Sequence, residues 1–93
     1  MQRIVVLASG SGSNLQAVID GCAAGTIDAL VVGVVSNRAD AYALTRARNA
    51  GIDAELVARL DGEERRHYDA RLAGAVASFV PDWVVLAGWM RIL

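Results

Sequence analysis

Ile4-Val5-Val6-Leu7-Ala8-Ser9-Gly10-Ser11-Gly12-Ser13-Asn14-Leu15 joins an apolar run to a serine- and glycine-rich hexapeptide and then to a helix-like stretch. That order predicts a strand, a tight turn and a helix start. The two glycines let the backbone turn sharply and come close to a ligand. The free N–H groups and positive dipole end of the following helix favour an anion. Ser11, Ser13 and Asn14 add hydroxyl and amide donors, so the turn from Gly10 to Asn14 is a candidate phosphate seat. A dinucleotide fits less well. The pattern Gly10-x-Gly12-x-x-Leu15 lacks a third glycine, and the second strand-like run ends in Ser36-Asn37 where an acidic residue would hold a ribose diol. A P-loop would need Gly-Lys-Ser/Thr, which is missing here.

The pattern continues outward from the turn. Leu15, Val18, Ile19 and Cys22 recur on one helical face, which predicts a helix over 14–24 stopped by Gly25 in a left-handed conformation. Leu30 to Val35 is β-branched and apolar on both faces, as in a parallel strand covered on both sides. A helix from Ala41 to Ala50 follows, with Asp40 as N-cap and Gly51 as stop, and then a short strand from Ala54 to Val57. Asp61 and Glu64 have the spacing of a capping box, and Tyr68, Leu72, Val76 and Phe79 form an apolar stripe on a helix over 62–79 that Pro81 ends. Trp83 to Ala87 is a fourth strand. The order β-α-β-α-β-α-β, with right-handed crossovers, implies an α/β fold: a parallel, doubly wound, Rossmann-like sheet with helices on both faces. A fully apolar fourth strand belongs inside a sheet, so we expect residues 1–93 to be the N-terminal portion of a larger domain.

The 93 residues are 55% hydrophobic and 20% charged, which suits a globular core. Nine basic against ten acidic side chains give a net charge of −1, with no basic stripe to neutralise a nucleic-acid backbone. No apolar run approaches the ~20 residues of a membrane span, and a single cysteine, Cys22, allows no internal disulfide. The expected setting is reducing and cytoplasmic, and nothing in the sequence fixes an oligomeric state.

In a parallel α/β sheet all strands end on one edge, where ligands bind. That edge gathers the glycine turn, the start of the third helix and the tail Gly88 to Leu93. At 100° per residue Arg65 falls within about 60° of the apolar stripe, so we expect it to face inward at a helix N-terminus, where a cation is better explained by a bound anion than by helix stability. The alternative is an ion pair with Asp69 at i+4. Met90, Ile92 and Leu93 read equally well as packing of a following element. Cys22 lies on a buried stripe and reads as inert packing, and His67 reads as a solvated residue off the apolar face. Metal-ligand spacing and a nucleophile-base pair are both missing.

Three stretches carry a family resemblance: Ile4 to Ala17, Val35-Ser36-Asn37-Arg38-Ala39-Asp40-Ala41, and Pro81-Asp82-Trp83-Val84-Val85-Leu86-Ala87-Gly88-Trp89-Met90-Arg91-Ile92-Leu93. In these the chain resembles the N-terminal half of the phosphoribosylglycinamide formyltransferases, and the similarity runs along all 93 residues. The resemblance implies a formyltransferase-type fold and transfer of a formyl group from 10-formyltetrahydrofolate, as co-substrate and without a metal, to the amine of 5′-phosphoribosylglycinamide in purine biosynthesis. It implies that Gly12, Ser13 and Asn14 hold the ribonucleotide phosphate, and that Arg65, Met90, Arg91, Ile92 and Leu93 meet the folate. The family's catalytic asparagine, histidine and aspartate come after the Met-Arg-Ile-Leu motif, so residues 1–93 form the phosphate- and folate-binding part and are expected to be inactive alone. The partners implied are small molecules, with neither nucleic acid nor membrane. Other readings are a formyltetrahydrofolate hydrolase, a methionyl-tRNA formyltransferase, or a non-catalytic phosphate-binding remnant. The serine-glycine turn favours a phosphorylated small substrate over water or tRNA.

Overall fold

A computed structural model describes residues 1–89, so Met90, Arg91, Ile92 and Leu93 lie outside the described residues. The elements alternate as expected: β1 (Gln2–Leu7), α1 (Ser13–Ala24), β2 (Ala29–Ser36), α2 (Tyr42–Asn49), β3 (Ala54–Leu56), α3 (Arg65–Ala77) and β4 (Trp83–Leu86). All four strands are parallel, in the order β3-β2-β1-β4.

β1 is central, and its alternate residues feed two cores. Ile4, Val6 and Ala8 pack with Leu15 of α1 and with Ala43 and Ala47 of α2, whereas Val5 and Leu7 pack with Tyr68 and Leu72 of α3. Val18, Ile19 and Cys22 of α1 half-bury against the first core, and Val76 and Phe79 against the second, as their spacing predicts. β2 would fall out of phase with this arrangement but for an irregularity in its register. Ile4 pairs with Val31 and Val5 with Gly33, so one extra residue moves the buried positions from Ala29 and Val31 to Val34. Gly33 also lets the ring of Phe79 lie on the strand, since a Cβ there would come within 2.7 Å of three ring atoms.

Two helix starts differ from expectation. α2 is preceded by Ala41 with no side-chain cap, because the Asp40 carboxylate is taken by Arg38 at 3.3 Å. The Ala43 N–H donates instead to the Gly10 carbonyl at 3.2 Å, which ties α2 to the glycine turn. The helix ends as predicted at Gly51 (φ 73°), where the Gly51 and Ile52 amides donate to Arg48 and Ala47 carbonyls. The third helix begins at Arg65 rather than 62, and Glu64 precedes it without a side-chain cap. Among the described residues β4 borders β1 alone, and Trp83, Val84 and Leu86 stay about half exposed or more.

The link from α3 to β4 is held from the far end of the sequence. Val80 adopts φ 51°, an uncommon conformation for a β-branched residue just before a proline. The Arg3 guanidinium donates to the carbonyls of Phe79 (2.7 Å) and Val80 (3.0 Å). The Arg3 N–H donates to the Asp82 carboxylate, and the Asp82 N–H donates to the Arg3 carbonyl, both at 2.7 Å.

Candidate functional site

The ends of the three longer strands meet at one edge through main-chain bonds. Ala8 N–H donates to Val35 C=O (3.0 Å), Ala87 N–H to Leu7 C=O (2.9 Å) and Ser9 N–H to Gly88 C=O (3.2 Å). The glycine turn and the beginning of the tail therefore lie side by side. A cleft of about 300 Å³ opens between them, lined by Ser9 to Asn14, Arg38, Ala87 and Gly88.

Gly12 shapes the turn. It is buried, sits at φ 78°, and immediately precedes α1 without any side-chain cap. A Cβ there would lie 2.8 Å from the Ala43 Cα, so the turn is pressed against α2. The first α-helical bond of α1 runs from Gln16 N–H to Gly12 C=O (2.8 Å), which leaves the N–H groups of Ser13, Asn14 and Leu15 without an intrahelical acceptor. Ser13 and Asn14 are exposed, and the first turn of α1 holds no acidic side chain. Helix dipole and open amides thus act together on whatever enters. Arg46 of α2 braces the turn from behind, donating to the Ser11 carbonyl (2.7 Å) and to the Gln16 side chain (3.3 Å).

Arg65 is not inward-facing. Its side chain is 57% exposed and pairs with Asp69 at 3.7 Å, the i+4 alternative. It is the first residue of α3, and side chains of a first turn tilt back toward the helix N-terminus, past the sheet edge. The apolar stripe becomes buried one turn later, at Tyr68. Arg65 sits at the same edge as the glycine turn but is not among the residues lining the 300 Å³ cleft.

The late start of α3 has a cause that sequence reading passed over. Glu63 is buried, and its carboxylate accepts from Leu60 N–H (2.9 Å), from Arg71 Nε (2.7 Å) and Arg71 Nη2 (2.8 Å), and lies 2.6 Å from His67 Nδ1. Arg59 donates to the Glu63 carbonyl, and Arg71 also reaches the Ala58 carbonyl at 2.6 Å. These bonds draw residues 58–63 into a turn, with Gly62 at φ 73°, before the helix can begin. Asp61 and Glu64 hid this residue because both are better cap candidates. The available signal was an arginine eight residues on, one turn beyond His67. His67 is accordingly tied to Glu63 and not merely solvated, although its ring is 66% exposed.

Arg71 above all, then the Leu60 amide and His67, hold the Glu63 carboxyl far below the usual carboxylate range, against the opposing effect of its burial. A depressed folded-state value means that the charged form stabilises the fold. The contribution is complete above the ordinary value of 4.5 and is lost as pH falls below it. The melting temperature is therefore expected to decline steadily as pH falls below about 5, and Glu63→Gln to melt lower at pH 7 and to show a shallower acid slope. An unchanged acid slope in that variant would count against this role.

Cys22 is half-buried against the core of α1 and α2, and burial raises its thiol pKa, as suits a packing residue. Among the described residues there is no cluster of three or more His, Cys, Asp or Glu side chains able to hold a metal, and no helix is long and apolar enough to cross a membrane.

Known proteins are similar to this chain in sequence and fold. Over 91 residues the chain is 50% identical to the phosphoribosylglycinamide formyltransferase of Escherichia coli, covering 98% of this chain and 43% of that protein. It is 48% identical to the enzyme of the same name from Schizosaccharomyces pombe, covering 97% and 48% respectively. The crystal structure of glycinamide ribonucleotide transformylase 1 from Symbiobacterium toebii superposes with a TM-score of 0.94 at 50% identity, over 99% of this chain and 43% of that one. The chain thus spans less than half the length of these relatives. The family model described as formyl transferase matches residues 2–93, and the chain belongs to the formyl transferase family.

Proposed function

We propose that this chain supplies the ribonucleotide- and folate-binding part of an enzyme that transfers a formyl group from 10-formyltetrahydrofolate to the amine of 5′-phosphoribosylglycinamide, a step of purine biosynthesis. The observation that carries the reading is the turn at Gly12, Ser13 and Asn14, whose open amides face a cleft shared with Gly88. In this reading the three residues hold the substrate phosphate, which anchors the ribonucleotide by the end remote from its reacting amine. The formyl donor meets Arg65 and, in the tail beyond the described residues, Met90, Arg91, Ile92 and Leu93. Arg65 is exposed and pairs with Asp69, and an exposed pair adds little net stability. The names of the relatives support the substrate assignment, and the serine-glycine turn supports a phosphorylated substrate over water. A cytoplasmic setting is supported by the lone, half-buried cysteine.

Titration of isotope-labelled chain with ribose 5-phosphate, ribose and a tetrahydrofolate analogue tests this. Ribose 5-phosphate is expected to shift the amide resonances of Gly12, Ser13 and Asn14, and ribose to leave them unmoved. Arg65→Ala is expected to weaken the folate analogue and spare ribose 5-phosphate. Absence of shifts at millimolar ribose 5-phosphate would overturn the phosphate assignment, and equal loss of both ligands would overturn the role of Arg65.

A further inference from the structure

The glycine turn offers hydrogen-bond donors but no full positive charge, whereas a phosphomonoester is close to a dianion at neutral pH. Arg46, the cation behind the turn, is committed to Ser11 and Gln16. Arg38 is differently placed. It follows β2 at the ligand-binding edge and lines both the 300 Å³ cleft and a second one of about 250 Å³, which meet at Ser9, Gly10 and Ser11. Its main chain is pinned, because its N–H donates to the buried Ser36 hydroxyl (3.2 Å) and its carbonyl accepts from Ala41 N–H (3.2 Å). Its guanidinium is held only loosely. Nε and Nη2 each reach an Asp40 oxygen at 3.3 Å, long for a charge-assisted bond, and the two side chains are 60% and 75% exposed. An exposed pair of this kind has little to lose by opening.

Resting on the phosphate reading above, we propose that Arg38 is the counter-charge of the bound phosphate: its guanidinium exchanges Asp40 for the phosphoryl oxygens, and Asp40 acts as a built-in competitor that weakens binding. The two residues then have opposite signs. Removing Arg38 weakens phosphate ligands, and removing the Asp40 charge strengthens them. Neither change affects a ligand without phosphate.

The test is calorimetric titration of the full chain with ribose 5-phosphate, inorganic phosphate and ribose at two salt concentrations, using Arg38→Gln, Asp40→Asn and, as a remote exposed control, Arg48→Gln. Arg38→Gln is expected to weaken ribose 5-phosphate about tenfold and to reduce the dependence of its affinity on salt. Asp40→Asn is expected to tighten it about two- to fivefold, and Arg48→Gln to leave it unchanged. Retained affinity in Arg38→Gln, with the wild type binding normally, overturns this proposal and leaves the phosphate seat standing. Weakening of similar size in Asp40→Asn overturns it in favour of a loop-shaping role for the pair. Failure of the wild-type chain to bind any phosphate overturns both.

Discussion

Gly12→Ala is expected to lower the thermal midpoint of the chain by about 10–25 °C and to erase phosphate-dependent shifts at Ser13 and Asn14. Two independent costs combine there. The φ of 78° is a left-handed conformation, worth roughly 1–3 kcal/mol against a residue with a side chain. The new methyl would lie 2.8 Å from the Ala43 Cα, 2.9 Å from its Cβ and 3.1 Å from the Arg46 Cδ. A backbone neighbour cannot swing aside, so α2 must retreat, at a further cost of roughly 1–3 kcal/mol. Gly10→Ala is the internal control. It lies in the same turn, a methyl there would find nothing within 4 Å, and the midpoint should shift by no more than a few degrees. Equal effects at both glycines would mean that the turn is not pressed against α2.

Residues 1–93, given 10-formyltetrahydrofolate and 5′-phosphoribosylglycinamide, are expected to yield no product above the uncatalysed rate. Acyl transfer needs a donor for the developing oxyanion and an acceptor for the amine proton, each worth roughly 10²–10⁴ in rate. The one histidine of the sequence, His67, is bonded to Glu63 on α3 and is not among the residues lining the Ser9–Asn14 cleft. If the catalytic asparagine, histidine and aspartate implied by the family resemblance lie beyond residue 93, the loss expected is about 10⁴ or more. Following formylated product over time checks this, and steady turnover by the chain alone would sink it.

What could be read from the sequence was whatever depends on neighbours along the chain. The run of β1 into the glycine turn and α1 depends on periodicity and on two residues without side chains, and the structure ends β1 and begins α1 within one residue of it, although β1 starts two residues early, at Gln2. The stops at Gly25 and Gly51 are equally local, and both adopt the left-handed conformation expected. The errors share a different origin. Asp40 reads as a helix cap and not as the partner of Arg38, and Asp61 and Glu64 look like better caps than the buried hub Glu63; in both places packing makes the choice. A helical wheel placed Arg65 on the inner face because it assumes the buried stripe extends to the first residue, whereas burial begins at Tyr68. Arg38 stood inside a recognised motif and still drew no attention, since only the closure of β2 beside β1 shows that it shares a cleft with the turn.

β1 forms in the middle of the sheet, yet one of its neighbours is encoded far along the chain: Ile4 pairs with Trp83. A ribosome adding about 5–20 residues per second needs roughly 4–16 s to make the intervening stretch. Throughout that time one side of a strand composed of Ile4, Val5, Val6 and Leu7 has no intramolecular mate in the nascent chain. The clasp between Arg3 and residues 79–82 can close only when synthesis reaches it, and it then ties the start of β1 to the segment leading into β4. Translation speed therefore sets how long that edge of β1 stays open in the nascent chain.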